Sequence, residues 1–313
     1  MAEHRTDPLH PTTLFSHVED APSFHVPRFL APKDSHGHIE IPQPFKLEEP
    51  LFEARTGIPL LDRTIKPLDF QITKFMVIEL LVAVLMCLFF VGLALSIRGG
   101  RLPRGRFGHM LEAILLYFRD KVARPCIGGH DADRFVPFLW TVFFFVLGCN
   151  LFGMIPWMGS PTGALATTGT LAIITFLTVI GSGMAKLGPA AFWKAQVPHM
   201  DLSLNLAGMN FEPVLKIVLI PMIFVIEVLG LLIKHGVLAV RLLANMMAGH
   251  VVLAVIIAFI AASAQSLLWW AVMPASVLGA TFLSMLELFV AFLQAYIFTF
   301  LSALFIGMAV HPH

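Results

Sequence analysis

Long apolar segments, separated by short polar stretches, dominate the chain from residue 74 onward. A membrane-spanning helix needs about 20 predominantly apolar residues, and each of these segments reaches that length. The last two segments are so long that they must tilt strongly, bend or extend beyond the bilayer. The pattern predicts an all-α membrane protein with five membrane helices, at about residues 74–97, 135–156, 164–187, 213–263 and 274–309.

Residues 104–124 show a different pattern, with apolar groups on one helical face and charges on the other. The charged side includes Arg119, Asp120 and Lys121. Such a segment is typical of an amphipathic helix that lies on the membrane surface, here on the cytoplasmic side. A second interfacial stretch is predicted at 188–212, where a tryptophan and a lysine stand between prolines.

The composition is that of a polytopic membrane protein. Hydrophobic residues make up 57% of the chain and charged residues 13%, and the mean hydropathy is +0.81. The net charge of +1 gives no reason to expect a nucleic-acid partner. The sequence contains no HExxH, phosphate-binding loop or GxSxG motif, and no cysteine spacing typical of zinc sites. We therefore expect neither a cofactor nor a metal in the membrane region.

Residues 1–73 form a polar region that precedes a membrane domain at 74–313. Such a proline-rich composition is typical of a solvated and poorly ordered extension. Histidine-rich tails also bind metal ions, which is the alternative for this region. The first ten residues lack an apolar core and do not resemble a signal peptide. The histidines in question are His4, His10, His17, His25, His36 and His38.

Basic residues predict the orientation of the chain in the membrane. They follow the first span, precede the second and follow the third, where Lys186 and Lys194 stand. If the spans alternate, these clusters share one side, and the positive-inside rule makes that side cytoplasmic. The N-terminus is then outside and the C-terminus is cytoplasmic. The residues after the first span are Arg98, Arg101, Arg104 and Arg106, and those at the outer interface are Trp157, Trp269 and Trp270.

Arg241 lies far from either end of the fourth apolar segment. A guanidinium does not lose its proton, and burying one in a bilayer costs at least roughly 2.5–3.5 kcal/mol. The charge therefore needs a function or a partner, and the alternatives are a snorkelling arginine or a structural ion pair. Glu227 and Lys234 precede it at intervals of seven residues, so the three share a slowly drifting stripe that Asn245 extends.

The fifth segment carries Glu287 and Gln294, again seven residues apart. We expect the fourth and fifth segments to form a long tilted antiparallel hairpin, in which facing residues have a constant sum of residue numbers. The sums for Arg241 with Gln294 and for His250 with Glu287 differ by only two. One register therefore places glutamine opposite arginine and histidine near glutamate, with the turn near residue 268.

A glutamate and a histidine in contact can exchange protons near neutral pH. In the predicted orientation His250 and Glu287 lie outside of Arg241, whereas Glu227 lies on its cytoplasmic side. A fixed positive charge between them would repel a proton that passed straight through. This layout favours two separate half-channels over one open pore.

The string RLLANMMAGH at 241–250 resembles the signature of the a subunit of F-type ATP synthase. ELFVAFLQAYIFTFLSALF at 287–305 looks like the last helix of that family. NLFGMIP at 150–156 and PTGALATTGTLA at 161–172 are similar to the end of its second span and the start of the next helix. The resemblance covers about residues 100–310.

The resemblance implies a non-catalytic membrane stator in contact with lipid. We expect a bacterial plasma membrane, because the start of the sequence does not resemble a transit peptide. The partners of the stator would be a rotating ring of c subunits, the b subunits of the peripheral stalk, and a soluble head that makes ATP. Arg241 would be the fixed charge opposite a c-subunit carboxylate, His250 and Glu287 the inlet relay, and Glu227 an outlet group. Some family members carry the histidine and the glutamate in exchanged positions. The residues implied for proton translocation are Arg241, Asn245, His250, Glu287, Gln294 and Glu227, with Lys234 and Asn150 in addition.

Other classes of membrane protein fit the sequence less well. A secondary transporter or ion channel would also carry charges inside its spans, but transporters usually show internal repeats, and none is clear here. A metal-dependent membrane enzyme would need more ligands than one histidine and one glutamate. A structural scaffold gives no reason for charges within the spans.

Overall fold

The computed structural model describes the membrane region and two short stretches before it. Trp157, the arginines at positions 98, 101 and 104, and most of residues 1–73 lie outside the described residues, together with the predictions made for them. The described ranges are 20–25, 38–43, 72–97, 106–155, 158–196, 205–206, 209–210, 212–264 and 266–311.

Helices account for nearly all of the described membrane region. A π-helical segment occupies Phe118–Ala123, and a 3-10 turn occupies Pro161–Gly163. Two short antiparallel pairs are present, β1 (Ser23–His25) with β2 (His38–Glu40) and β3 (Asn205–Leu206) with β4 (Met209–Asn210). The helices are α1 (Lys74–Ile97), α2 (Arg106–Tyr117), α3 (Arg124–Ile127), α4 (Ala132–Gly153), α5 (Leu165–Leu187), α6 (Pro189–Ala195), α7 (Glu212–Ser263) and α8 (Trp269–Val310).

The prediction of five membrane helices is confirmed. Within the described ranges, α1, α4, α5, α7 and α8 are the helices long and apolar enough to cross a membrane. The chain reverses between Ser263 and Trp269, close to the predicted turn, so that α7 and α8 form the long hairpin. A helix of 52 residues is about 78 Å long, against about 30 Å of hydrocarbon, so α7 has to tilt or extend past the bilayer.

The predicted amphipathic helix is the α2–α3 unit, and its π-helical segment has a local cause. Arg124 donates its backbone N–H to the carbonyl of Arg119, five residues back, and the following Pro125 has no N–H to continue an α-helical pattern. The segment is tied to α4, because Nε of Arg119 lies 3.0 Å from Oδ1 of Asp133. This tie fixes the surface helix against the start of the second span.

A cluster of charged residues lies where the ends of three helices meet, on the predicted cytoplasmic side. Asp131 precedes α4, Lys186 lies in the last turn of α5, and His311 follows α8. Lys186 donates to the Asp131 carboxylate, and Nε2 of His311 lies 3.5 Å from the same oxygen. The hydrogen bond from Lys186, assisted by the charge of His311, holds the pKa of Asp131 below its usual range. The ends of α4, α5 and α8 therefore meet on one side of the protein.

The packed core lies between α4, α5, α7 and α8. Leu139, Val179, Leu242 and Phe298, one from each of these helices, are fully or almost fully buried in a single cluster. Helix α1 packs at the edge and shares a smaller cluster with Cys149 of α4. Because α7 and α8 belong to the main core, the polar groups they carry have fixed positions relative to each other.

Gly307 allows the end of α8 to lie directly against the turn of α3. A Cβ added there would overlap the backbone carbonyl of Cys126. We expect Gly307→Ala to lower the free energy of unfolding by about 1–3 kcal/mol, the usual cost of overpacking. The measurement is the thermal unfolding midpoint of the detergent-solubilised protein. Gly279→Ala in the same helix is the control, because nothing lies within 4 Å of its added Cβ, and equal midpoints for both variants would contradict the expectation.

The short pair β1–β2 sits against the beginning of α1, in a region for which no element was predicted. The Gln43 side chain forms two hydrogen bonds of 2.8 Å with the backbone of Ile72, one through its amide nitrogen and one through its oxygen. The Asp20 carboxylate accepts a hydrogen bond from the backbone N–H of Phe75, and Phe24 packs on the α1 cluster. These contacts hold part of the N-terminal region at the predicted outer end of α1.

Candidate functional site

The α7–α8 hairpin brings His250 and Glu287 together, as the register predicts. Nδ1 of His250 lies 3.6 Å from Oε1 of Glu287, and the two side chains are only 14% and 6% exposed. Gly249 makes room for the carboxylate, since an added Cβ there would lie 2.8 Å from Oε1. A carboxyl group and an imidazole thus share a small enclosed space between two membrane helices.

Gln294 forms a hydrogen bond with Asn245, which stands one turn beyond Arg241 on α7. Its oxygen accepts this 2.9 Å hydrogen bond from the side-chain amide of Asn245. Arg241 and Asn245 stand one helical turn apart on the same face of α7, and residue numbers alone do not distinguish them. Gln294 itself is only 1% exposed and lies well inside the hairpin.

Arg241 lies at the edge between the buried and exposed faces of α7. Leu238 and Leu242 beside it point into the core, whereas Val237 and Val240 are about half exposed. Within the described part of the chain, no hydrogen bond or ion pair to the guanidinium is found. A charge that cannot be lost is therefore presented at a surface of the chain rather than neutralised inside it.

Glu227 and Lys234 follow the same stripe. The Glu227 side chain is partly exposed and Lys234 is exposed, and neither takes part in an ion pair among the described residues. Spaced seven residues apart, they lie nearly in line with Arg241 along one side of α7. The three charged residues of the predicted stripe thus follow one another at about 10 Å intervals along this side of the helix.

A second set of polar groups links the end of α4 to α8. Asn150 is fully buried, and its amide nitrogen donates a 3.2 Å hydrogen bond to the carbonyl of Ala291, one turn beyond Glu287. Its side-chain oxygen accepts a 2.7 Å hydrogen bond from Thr162, whose hydroxyl lies 2.8 Å from that of Ser160. The series runs from the connection between α4 and α5 to within one turn of Glu287.

Several atoms in this region lack a hydrogen-bonding partner among the described residues. They are Nε2 of His250, Oε1 of Glu287 and Nε2 of Gln294, and each is buried. Buried polar atoms are nearly always hydrogen-bonded in proteins, so each of these atoms has capacity for a further hydrogen bond. These atoms lie on one stretch of the hairpin, around the His250–Glu287 pair.

Two further polar residues were not among those predicted from the sequence. His235 is 2% exposed, lies between the rings of Phe176 and Phe305, and donates from Nδ1 to the Leu231 carbonyl at 2.8 Å. His235 precedes the buried Leu238 and Leu242 by three and seven residues, a spacing that places it on the same face of α7 and could have revealed that it faces the core. Glu79 is the other, a carboxylate inside the first span.

The Glu79 carboxylate accepts a 2.6 Å hydrogen bond from the hydroxyl of Thr167 in the first turn of α5. It is the single acidic residue of α1, a signal already visible in the apolar sequence of that helix. As for metals, within the described ranges no three His, Cys, Asp or Glu side chains converge as a metal site requires.

Comparison with known proteins identifies relatives along most of the chain. Residues 76–307 match the family described as ATP synthase A chain. The chain is 37% identical over 308 residues to ATP synthase subunit a of Myxococcus xanthus, an alignment covering 95% of this chain and 88% of the relative. It is also 37% identical over 245 residues to ATP synthase subunit a of Chloroherpeton thalassium, which covers 77% of this chain and 67% of that protein.

Proposed function

Since this chain belongs to the ATP synthase A chain family, and so is a non-catalytic membrane subunit of the F-type complex, we propose that it conducts protons through two half-channels. Between them, Arg241 would face the essential carboxylate of a rotating c-subunit ring. A proton entering from outside neutralises that carboxylate, and the neutral site rotates through lipid. Near Arg241 the site loses its proton to the cytoplasmic half-channel.

The inlet half of the proposal is supported chiefly by the His250–Glu287 contact of 3.6 Å. Two groups of different ordinary pKa, enclosed together, can pass a proton from one to the other. The buried series through Thr162 and Asn150 ends one helical turn from Glu287 and supplies polar groups toward the outer end. The inlet therefore runs from the α4–α5 connection through Asn150 to Glu287 and His250.

Arg241 supports the separation of the two half-channels. Its guanidinium remains charged at the surface of the hairpin, where an ionised carboxylate of the ring is the group that would neutralise it. Such a contact stabilises the ionised carboxylate, lowers its pKa and favours release of its proton. Asn245, hydrogen-bonded to Gln294, is placed one turn away to order the side chains around that contact.

The outlet would run along the exposed edge of α7 toward its N-terminal end. Glu227 and Lys234 lie there, and the ring would cover this edge in the complex. The orientation follows from the basic residues, which put the Asp131 cluster on the cytoplasmic side and the α7–α8 turn outside. The host membrane in this proposal is a bacterial plasma membrane, and the b subunits of the peripheral stalk are the other membrane partners.

The inlet is tested by replacing Glu287 with glutamine, which keeps the shape and removes the titratable group. We expect passive proton conductance to fall by at least about 100-fold, the smallest usual contribution of a positioned acid or base. The measurement uses membrane vesicles carrying the complete complex, after release of the soluble head. Glu112→Gln, which changes an exposed carboxylate on α2, is the matched control and should conduct normally.

Conductance of Glu287→Gln at the level of the control, with equal amounts of complex in the membrane, would rule out the proposed inlet. A proton path elsewhere, or a transporter that works without a ring, would then have to be considered.

A further inference from the structure

We propose that Glu79 is the proton-collecting group at the outer mouth of the inlet half-channel, an inference that rests on the proposed function. It is placed by three elements that meet at the outer end of the protein: α1, the end of α4 and the start of α5. The proposed function, with its His250–Glu287 relay and Arg241, assigns no role to Glu79. A carboxylate within an apolar span is costly, and groups of this kind commonly line ion pathways.

The contacts of Glu79 keep it available to exchange protons. Its carboxylate accepts the 2.6 Å hydrogen bond from Thr167. The residue is partly buried, so it is neither enclosed in the core nor fully exposed to solvent. Thr167 lies in the first turn of α5, where unpaired backbone N–H groups favour a negative charge. The hydrogen bond from the Thr167 hydroxyl holds the Glu79 carboxylate at the start of α5.

The position of Glu79 connects it to the buried series. Thr162, the outer member that bonds Asn150, precedes Thr167 by five residues in the turn that leads into α5. On α4, Asn150 directly follows Cys149, a residue close enough to Glu79 to feel its charge. Glu79 thus lies at the same predicted outer end of the protein as Thr162 and Asn150, and its partner Thr167 follows Thr162 in the chain.

Few other titratable groups face Glu79 among the described residues. Cys149 is the one on α4, and Lys74 stands five residues earlier on α1 itself, whereas α5 contributes the Thr167 hydroxyl. Asp20, whose carboxylate accepts a hydrogen bond from the backbone N–H of Phe75, also lies at the outer end of α1. Surfaces lined by charges of one sign raise the local concentration of the opposite ion and its rate of arrival by about 10-fold to 1,000-fold, and one carboxylate is expected at the low end of that range.

The test measures proton conductance from the outer mouth of the inlet toward the cytoplasmic side of the protein. The quantity that is varied is the pH on the side of the membrane that the outer mouth faces, called the outer pH. Vesicles carry the complete complex, the soluble head is released, and an imposed potassium diffusion potential drives the flow. At outer pH 8, where protons are scarce, we expect Glu79→Gln to conduct about tenfold less than wild type, the low end of the gain from a charged cleft. At outer pH 6 the two should differ by less than about twofold, because arrival no longer limits the flow.

Two further variants separate a collecting role from a structural one. Glu79→Asp keeps a titratable carboxylate and should recover most of the conductance at pH 8. Thr167→Val removes the hydrogen bond but keeps Glu79, and should shift the pH at which conductance is half maximal. Conductance is expressed per amount of assembled complex, so that poor assembly of one variant does not decide the result.

The possible outcomes divide cleanly. A Glu79→Gln protein that conducts like wild type at both pH values overturns the inference, and so does an equal loss at both. If in addition Glu287→Gln blocks conduction, the proposed function stands and only the role of Glu79 is wrong. If Glu287→Gln also conducts normally, the proposed function itself fails.

Discussion

Replacing Arg241 with alanine is expected to abolish coupled ATP synthesis and ATP-driven proton pumping while the complex still assembles. The loss should be at least about 100-fold, the scale seen when a group that stabilises a developing charge is removed. In the proposed mechanism, no fixed charge would then favour loss of the proton from the ring carboxylate, and the barrier between the two half-channels would disappear. Passive proton leak after release of the soluble head should therefore persist, and both quantities are measured in membrane vesicles.

Two companion variants sharpen the result. Arg241→Lys should also fail to couple, because lysine sheds its proton when buried and lacks the planar array of donors. Val240→Ala, at the neighbouring exposed position, changes the same surface without touching the charge and should pump normally. Normal ATP-driven pumping by Arg241→Ala would make this charge a structural one and bring the transporter interpretation to the front.

Exchanging the two inlet residues, His250→Glu together with Glu287→His, is expected to retain more proton conductance than either single change. Each single change leaves two like groups in one enclosed space, two carboxyl groups or two imidazoles, and these disturb each other's protonation. The exchange restores one of each across the same 3.6 Å contact. Contacting residues usually show a coupling of roughly 0.5–3 kcal/mol in a double-mutant cycle, and conductance in head-depleted vesicles supplies the four rates.

A second cycle supplies the reference for additivity. His250→Glu combined with Glu112→His changes the same residue types, but Glu112 lies on α2, away from the hairpin. The effects of these two changes on proton conductance should be additive in free energy. Equal losses in both single variants and in the exchanged protein would argue that His250 and Glu287 do not act as a pair.

Much of the fold can be derived from the sequence because a bilayer leaves few alternatives. A long apolar segment has to form a helix there, since every backbone polar group must be satisfied within the segment. That constraint accounts for α1 and for the hairpin of α7 and α8, whose turn follows from the break near residue 268. It gives no information on the pairing of β1 with β2, which depends on side-chain contacts such as those of Gln43.

The site is predicted in part for a similar reason. Seven-residue spacing identifies which face of a helix carries the polar groups, and the His250–Glu287 contact follows once two helices are paired. The choice between Arg241 and Asn245 as the partner of Gln294 depends on how the helices cross, which spacing does not contain. The hydrogen bonds of Asn150 with Thr162, and of Glu79 with Thr167, join different elements and become visible only when the elements are packed together.

The tight packing of Gly307 against Cys126 has a mechanical consequence for the hairpin. Together with the His311–Asp131 contact it anchors α8 at its C-terminal end, whereas Leu267 and Trp270 at the opposite end are largely exposed. Glu287 lies about 30 Å from Gly307 along the helix and Gln294 about 20 Å, at 1.5 Å per residue. The end of α8 that carries Leu267 and Trp270 is therefore held by fewer contacts within the described chain than the end that carries Gly307.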